Sequence, residues 1–244
     1  MATLQSAKRE LRRRIKKILA EVSQDSVVAQ SSIATKTLLS LPEYHAAKRL
    51  SIYLSMPSGE ISTTAIVRDA FSKGKMVYVP YLHKADAPTA PPRTSVMDML
   101  ALRSLEEYEA LGRDKWGIPT IEEGSVPGRK NALGGYGVLL QSQSQSEEGN
   151  KDEQEDGDES GLDFIVMPGL AFDEGLRRLG HGKGYYDHFL MRCGKKAGGK
   201  PYLAALALKE QVLPPDETVP TGSYDLPVDA VLLGDGRILA SNSS

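Results

Sequence analysis

Leu11, Ile15, Ile18, Leu19 and Val22 fall on one stripe at helical spacing, with basic residues between them, which predicts a helix over residues 6–21. A second helix is predicted over residues 25–39, with Ser23 or Asp25 as its N-cap. The run RLSIYLSM that follows is β-branched and aromatic and reads as a buried strand. PSGE is a turn, residues 63–72 form a third helix ended by Gly74, and MVYVPY is the next strand. Strand, helix and strand in that order make a βαβ unit, which requires parallel pairing and a helix laid over the sheet. Residues 83–95 are rich in Pro and Ala and read as loop, and residues 96–103 read as a strand. WGIPTIEE is extended, because a proline disfavours helix in the residue before it. Residues 141–161 carry no apolar side chain, cannot build a packed element, and are expected to be a disordered insertion between two strands. The pattern resumes with a strand at 162–167, the turn PGLAFDEG, a helix at 184–192, and the strands YLAALALK and AVLL. The expected fold class is α/β: one domain over residues 1–244, with a mostly parallel central sheet and helices on both faces.

Composition narrows the classes. A chain of 244 residues can bury most of its apolar surface without disulfides. No apolar stretch approaches the roughly 20 residues that cross a bilayer, so no membrane partner is expected. The N-terminus has the charges of a signal peptide without its apolar core. It is also Arg-rich and amphipathic like a mitochondrial transit peptide, but Glu10 and Glu21 count against that. The single cysteine, Cys193, cannot form an internal disulfide, which fits a reducing compartment. A cytoplasmic protein is expected, with a mitochondrial fraction left open. Net charge is −2, yet residues 147–159 hold eight acids and one lysine. Without them 29 basic and 24 acidic residues remain, so the body is about +5, which suits a small anionic substrate and not a nucleic acid.

The segment RRLGHGKGYYDHFL, residues 177–190, carries candidate chemistry. Gly180, Gly182 and Gly184 alternate with His181 and Lys183, and a helix follows at once. Glycines let backbone N–H groups converge on an anion, and a helix N-terminus reinforces the site. Arg178 and Lys183 add two cations, and Asp187, one turn into the helix, could hold Mg²⁺. Three alternating glycines are also common in plain tight loops, and the spacing is neither Walker A nor the Rossmann fingerprint. From the residues alone the two readings stand level, and Tyr185 and Tyr186 read more readily as core aromatics than as ligand contacts. His181 should be exposed; His45, His83 and His188 show no paired ligand spacing, and Cys193 reads as structural.

The longer run MPGLAFDEGLRRLGHGKGYYDHFL resembles the signature of the 5-formyltetrahydrofolate cyclo-ligases, also called methenyltetrahydrofolate synthetases. AKRELR in the first helix, IYLSMPSGE, WGIP, ALALKEQ and VDAVL are similar to that family in the same order, so the resemblance spans most of the chain. It implies ATP-dependent closure of 5-formyltetrahydrofolate to 5,10-methenyltetrahydrofolate, with ADP and phosphate released, through phosphorylation of the formyl oxygen. ATP is then co-substrate, Mg²⁺ the cofactor, small molecules the only partners, and a monomer the expected state. Arg178 and Lys183 correspond to catalytic charges. Lys8, Arg12, Leu179, Gly180, His181, Gly182, Gly184, Tyr185 and Tyr186 join them as ATP contacts. Arg12, Leu54, Met56, Glu60, Trp116, His181, Gly182 and Tyr185 correspond to folate contacts, and Asp187 and Asp225 to metal ligands. Leu54 and Met56 suit a core equally, and Arg9, Arg13, Lys16 and Lys17 suit a solvated helix face. The chain departs from the family at His181, where Arg or Tyr is usual, and at Gly175, one place early for the family's glycine.

Overall fold

A computed structural model describes residues 3–84, 95–139, 161–193 and 199–241. The expectations for residues 85–94 and for the acidic insertion up to residue 160 lie outside them. Helix α1, Leu4–Ala20, starts at Thr3, whose side chain accepts from Ser6 N. Helix α2, Gln24–Leu39, is capped by Ser23 in the same way. A short helix α3, Pro42–Ala46, leads into strand β1, Arg49–Ile52. Helix α4, Thr64–Ser72, stops where Gly74 takes φ +66°, a left-handed conformation glycine adopts without steric cost. Strand β2, Met76–His83, turns back as β3, Val96–Ala101. Helix α5, Leu105–Ala110, and the two-residue strands β4, Gly112–Arg113, and β5, Pro119–Thr120, follow. WGIPTIEE is thus extended only at its centre, since a 3₁₀ turn begins at Glu123. Then come β6, Phe164–Met167, the hairpin of β7, Ala171–Phe172, and β8, Arg178–Leu179, and helix α6, Tyr185–Cys193. Strands β9, Tyr202–Ala207, β10, Ala230–Leu233, and β11, Ile238–Ala240, end the described chain.

Seven strands form one sheet in the order β11-β10-β9-β6-β1-β2-β3. The five inner strands run parallel, and β3 and β11 close the edges antiparallel. The inner strands are buried on both faces, which is why they read as unbroken apolar runs. Leu50, Ile52, Val77, Val79, Phe164 and Val166 face α2 and α4. Tyr78, Ile165, Met167, Ala205 and Val231 face the other way, onto Phe189 and Leu190 of α6. Leu11 and Ile15 of α1 form a third cluster with Leu170, Ala171 and Leu179 of the β7–β8 hairpin. The chain moves from β1 to β2 on one side and places β6 on the other. The sequence of steps therefore reverses beside β1, and in open α/β sheets the crevice beyond the strand ends at such a point is where ligands bind.

Candidate active site

Two loops leave the strand ends at this switch point. The segment after β1 carries Leu54, Met56 and Glu60, and the segment after β6 carries the β7–β8 hairpin and the glycine loop. Gly169 makes the second departure possible, since a Cβ there would stand 2.2 Å from the Phe172 ring. Its carbonyl accepts from the buried Gln211 amide at 2.7 Å. Asp173, fully buried, accepts from Arg177 and from Val219 N, and so braces the hairpin turn around Leu176 at φ +60°. Gly175 packs against the Arg177 guanidinium within this turn.

Helix α1 lays two cations along the glycine loop. Lys8 and Arg12 are four residues apart and share the helix face that buries Leu11 and Ile15. Arg12 Nε donates to Gly180 O at 2.8 Å, and a Cβ on Gly182 would lie 3.2 Å from the Arg12 guanidinium carbon. Gly182 and Gly184 hold φ +100° and +70°, so glycine is a backbone requirement at these two positions, while at Gly180 a Cβ would lie 3.0 Å from Arg178 Nη1. Lys8, mostly buried, pairs with Asp225, which also accepts from Gly222 N. Against the cost of its own partial burial, the Lys8 ammonium, the Gly222 amide and the field of Arg178 hold the Asp225 carboxyl below the usual carboxylate range. His181 is exposed, as expected from the loop, and Lys183 is exposed as well. Partial desolvation and the neighbouring Lys16, Arg178 and Arg12 push the His181 imidazolium down, favouring its neutral form.

Arg178, with a side chain only 5% exposed, is the fixed centre of the cluster. It donates to Asp187 Oδ1 at 2.9 Å and to Pro168 O at 3.3 Å, and its guanidinium lies 5.9 Å from the Tyr186 ring centroid. Its Nε and the Tyr186 hydroxyl are buried with no hydrogen-bond partner among the described residues. Buried polar atoms left without a partner cost stability unless something else completes them. Tyr186 also lies within the field of Glu60, as does Tyr53, and burial first and Glu60 second push both phenols up. Glu60 Oε2 accepts from Met56 N at 2.9 Å, and burial raises its carboxyl to about 7. A cavity of about 750 Å³ opens beside this segment, between α2, α4 and the β4–β5 turn, and reaches Met56, Pro57 and Glu60.

The structure therefore brings together Lys8, Arg12, Arg178, Leu179, the loop of residues 180–184, Tyr186, Asp187 and Asp225, and Tyr186 also feels the charge of Glu60, which holds Met56 N. Tyr186 packs against both core layers and Leu54 is 8% exposed in the core, so the packing reading holds for both. Tyr185 is half-buried, with its hydroxyl 2.6 Å from Ser95 Oγ. Trp116 is 62% exposed, with the Lys115 ammonium 4.3 Å from its ring centroid, and Gly117 beside it packs close to Pro57. Among the described residues no three His, Cys, Asp or Glu side chains cluster to hold a metal, and Asp187 and Asp225 are each engaged by a cation. Two carboxylates fit Mg²⁺ of the kind that takes most of its ligands from phosphates and water. Tyr53, Asp173 and Gln211 escaped the sequence reading; the bonds of Asp173 to Val219 N and of Gln211 to Gly169 O span 46 and 42 residues.

Comparison with known proteins bears on this geometry. The model of the 5-formyltetrahydrofolate cyclo-ligase family matches residues 4–234. The mouse 5-formyltetrahydrofolate cyclo-ligase is 36% identical over 233 residues, covering 96% of each chain. A probable 5-formyltetrahydrofolate cyclo-ligase of Caenorhabditis elegans is 30% identical over 95% of each. The solution structure of Aquifex aeolicus 5,10-methenyltetrahydrofolate synthetase superposes with a TM-score of 0.63 at 24% identity, covering 97% of this chain and 94% of that one, which is a likeness of fold.

Proposed function

The chain belongs to the 5-formyltetrahydrofolate cyclo-ligase family, and on that premise we propose how its residues divide the work. It is an ATP-dependent ligase that converts 5-formyltetrahydrofolate to 5,10-methenyltetrahydrofolate. The triphosphate lies on the glycine loop between Lys8 and Arg12 on one side and Arg178 and Lys183 on the other. The observation that carries this is Arg178: a buried guanidinium held by Pro168 O and Asp187, with Nε unpaired, beside a loop in which Gly182 and Gly184 hold positive φ. The pterin lies against Met56 and Glu60, where the carboxyl faces few competing donors. Leu54 shapes this wall from the core side, and Tyr185 and His181 flank the junction of the two substrates.

The γ-phosphoryl group passes to the formyl oxygen and ADP leaves. The neighbouring folate amine then attacks the formyl carbon, loses its proton, and phosphate departs with that oxygen. No protein nucleophile is needed, so the chain contributes position and charge. Arg178 and Lys183 stabilise charge on the transferring group, and the loop N–H groups hold the phosphates. Asp187 and Asp225 would hold Mg²⁺, which supplies charge neutralisation on the phosphates when bound. Glu60 accepts from the pterin donors and the Tyr186 hydroxyl lies beside it. The same reading takes the protein as a monomer that acts on small molecules in the cytoplasm, with a mitochondrial fraction left open.

Mixing the protein with Mg·ATP and 5-formyltetrahydrofolate and following the absorbance of the methenyl product tests this. Product that requires both ATP and Mg²⁺ supports the assignment. ATP binding without turnover would instead mark a nucleotide-binding regulator built on the same fold.

A further inference from the structure

Helix α6 carries Tyr185, Tyr186 and Asp187 in its first turn, so its rotation sets where the nucleotide end of the site lies. Tyr185, Phe189 and Arg192 are spaced four and three apart and share one face. That face lies on β3. Tyr185 meets Ser95 at the near end, Phe189 is fully buried, and Arg192 meets Asp98 at the far end, Nη1 to Oδ1 at 2.7 Å. Arg192 Nη2 also donates to Met97 O. Asp98 has no exposed surface, and its second oxygen accepts from His83 Nε2 at 3.1 Å and Leu139 N at 2.9 Å. Asp187 points away from this face, to Arg178. The helix is thus held on one side by β3 and on the other by β8, and a turn about its axis would move Asp187 off Arg178.

We propose that Asp98 and Arg192 are positioning residues for the nucleotide: the planar two-point grip of Arg192 on Asp98 and the Met97 carbonyl fixes the rotation of α6 and hence the place of Asp187 and Arg178. This rests on the reading of the glycine loop as the ATP site. Neither residue touches substrate. An ion pair there merely to neutralise a buried carboxylate would need a charge only, whereas a rotation lock needs the fork of arginine, which lysine lacks.

The test compares Arg192→Gln and Arg192→Lys in steady-state kinetics and thermal unfolding. Lysine should restore the Tm that glutamine loses, while the KM for ATP stays raised about tenfold and that for 5-formyltetrahydrofolate changes less than about twofold. Both KM values normal in Arg192→Lys, or both shifted together, would overturn the proposal. Ser95→Ala, which releases the near end of the same face, should also raise the KM for ATP; it carries the test should Arg192→Gln not fold, and an unchanged value counts against the lock. Lys183→Ala measured alongside separates the two readings. If it leaves ATP binding intact, the loop assignment fails; if it weakens ATP binding while Arg192→Lys does not, only the positioning role fails.

Discussion

Burial raises the Glu60 carboxyl to about 7 from an ordinary 4.5, and only the Met56 amide opposes that rise. The folded chain then keeps a proton that the unfolded chain has released, so the contribution of Glu60 to stability is fully present below pH 4.5 and is lost as pH climbs to 7. At about 1.4 kcal/mol per pH unit the loss reaches at most about 3 kcal/mol. Glu60→Gln keeps an acceptor for Met56 N without a charge. Its Tm should exceed that of the parent at pH 8 and meet it near pH 4, while binding of 5-formyltetrahydrofolate weakens more than that of ATP. Parallel melting curves of the two proteins from pH 4 to 8 would show that Glu60 titrates as an ordinary surface acid. Lys183 is the opposite case. It is exposed and makes no ion pair among the described residues, so nothing in the free protein depends on it. Lys183→Ala should leave the Tm unchanged and cut turnover about 100-fold or more, the scale for losing one preorganised charge donor. Near-normal turnover would remove this lysine from the phosphoryl-transfer step.

Among the elements, those with both faces buried were legible as apolar runs: β1, β2, β6, β9 and β10 each read directly from the chain. The edges were not. β3 reads as a strand, but its antiparallel return on β2 depends on register, and β11 is a three-residue edge with polar neighbours. Helix α5 left a signal that went unread, for Ser104 and Glu107 are three apart and Ser104 does accept from Glu107 N. The glycine loop was legible because its chemistry is contiguous. The pairings that support it were not: Lys8 and Asp225 entered only through the resemblance, and the bond between them spans 217 residues, as that of Arg192 to Asp98 spans 94. His83 looked unremarkable for the same reason. Its bond to Asp98 raises the imidazole above 6.5, burial and Arg192 opposing, and its ring stacks on Tyr81. A histidine raised on folding stabilises fully below pH 6.5, and that contribution fades as pH passes through the higher folded value. His83→Gln should therefore flatten the fall of Tm on the alkaline side of pH 6.5, read from unfolding midpoints between pH 6 and 9. An unaltered slope would mean that His83 titrates as it does in the unfolded chain.

At the scale of the whole molecule, charge and architecture separate at one segment. The acidic run at 147–159 carries a net −7, and the body without it is about +5. The chain enters and leaves this region through anchored backbone: Leu139 N bonds to Asp98, and Gly161 N bonds to Ala132 O at 2.8 Å. Both ends are thus fixed by the fold, and residues 141–160 between them carry no apolar side chain to bury. Loop closure costs only about 0.6 kcal/mol per doubling of length. Deleting residues 142–160 should therefore leave the Tm and turnover at moderate salt nearly unchanged. The field should change more than the fold does, because removing seven net negative charges leaves a cationic body around an anionic substrate pair. The expected signature is a lower KM for ATP at low ionic strength that converges with the parent near 0.15 M salt, where screening acts over about 8 Å. A large drop in Tm would show that the insertion packs on the body. Equal KM values at every ionic strength would show that its charge is not felt at the glycine loop.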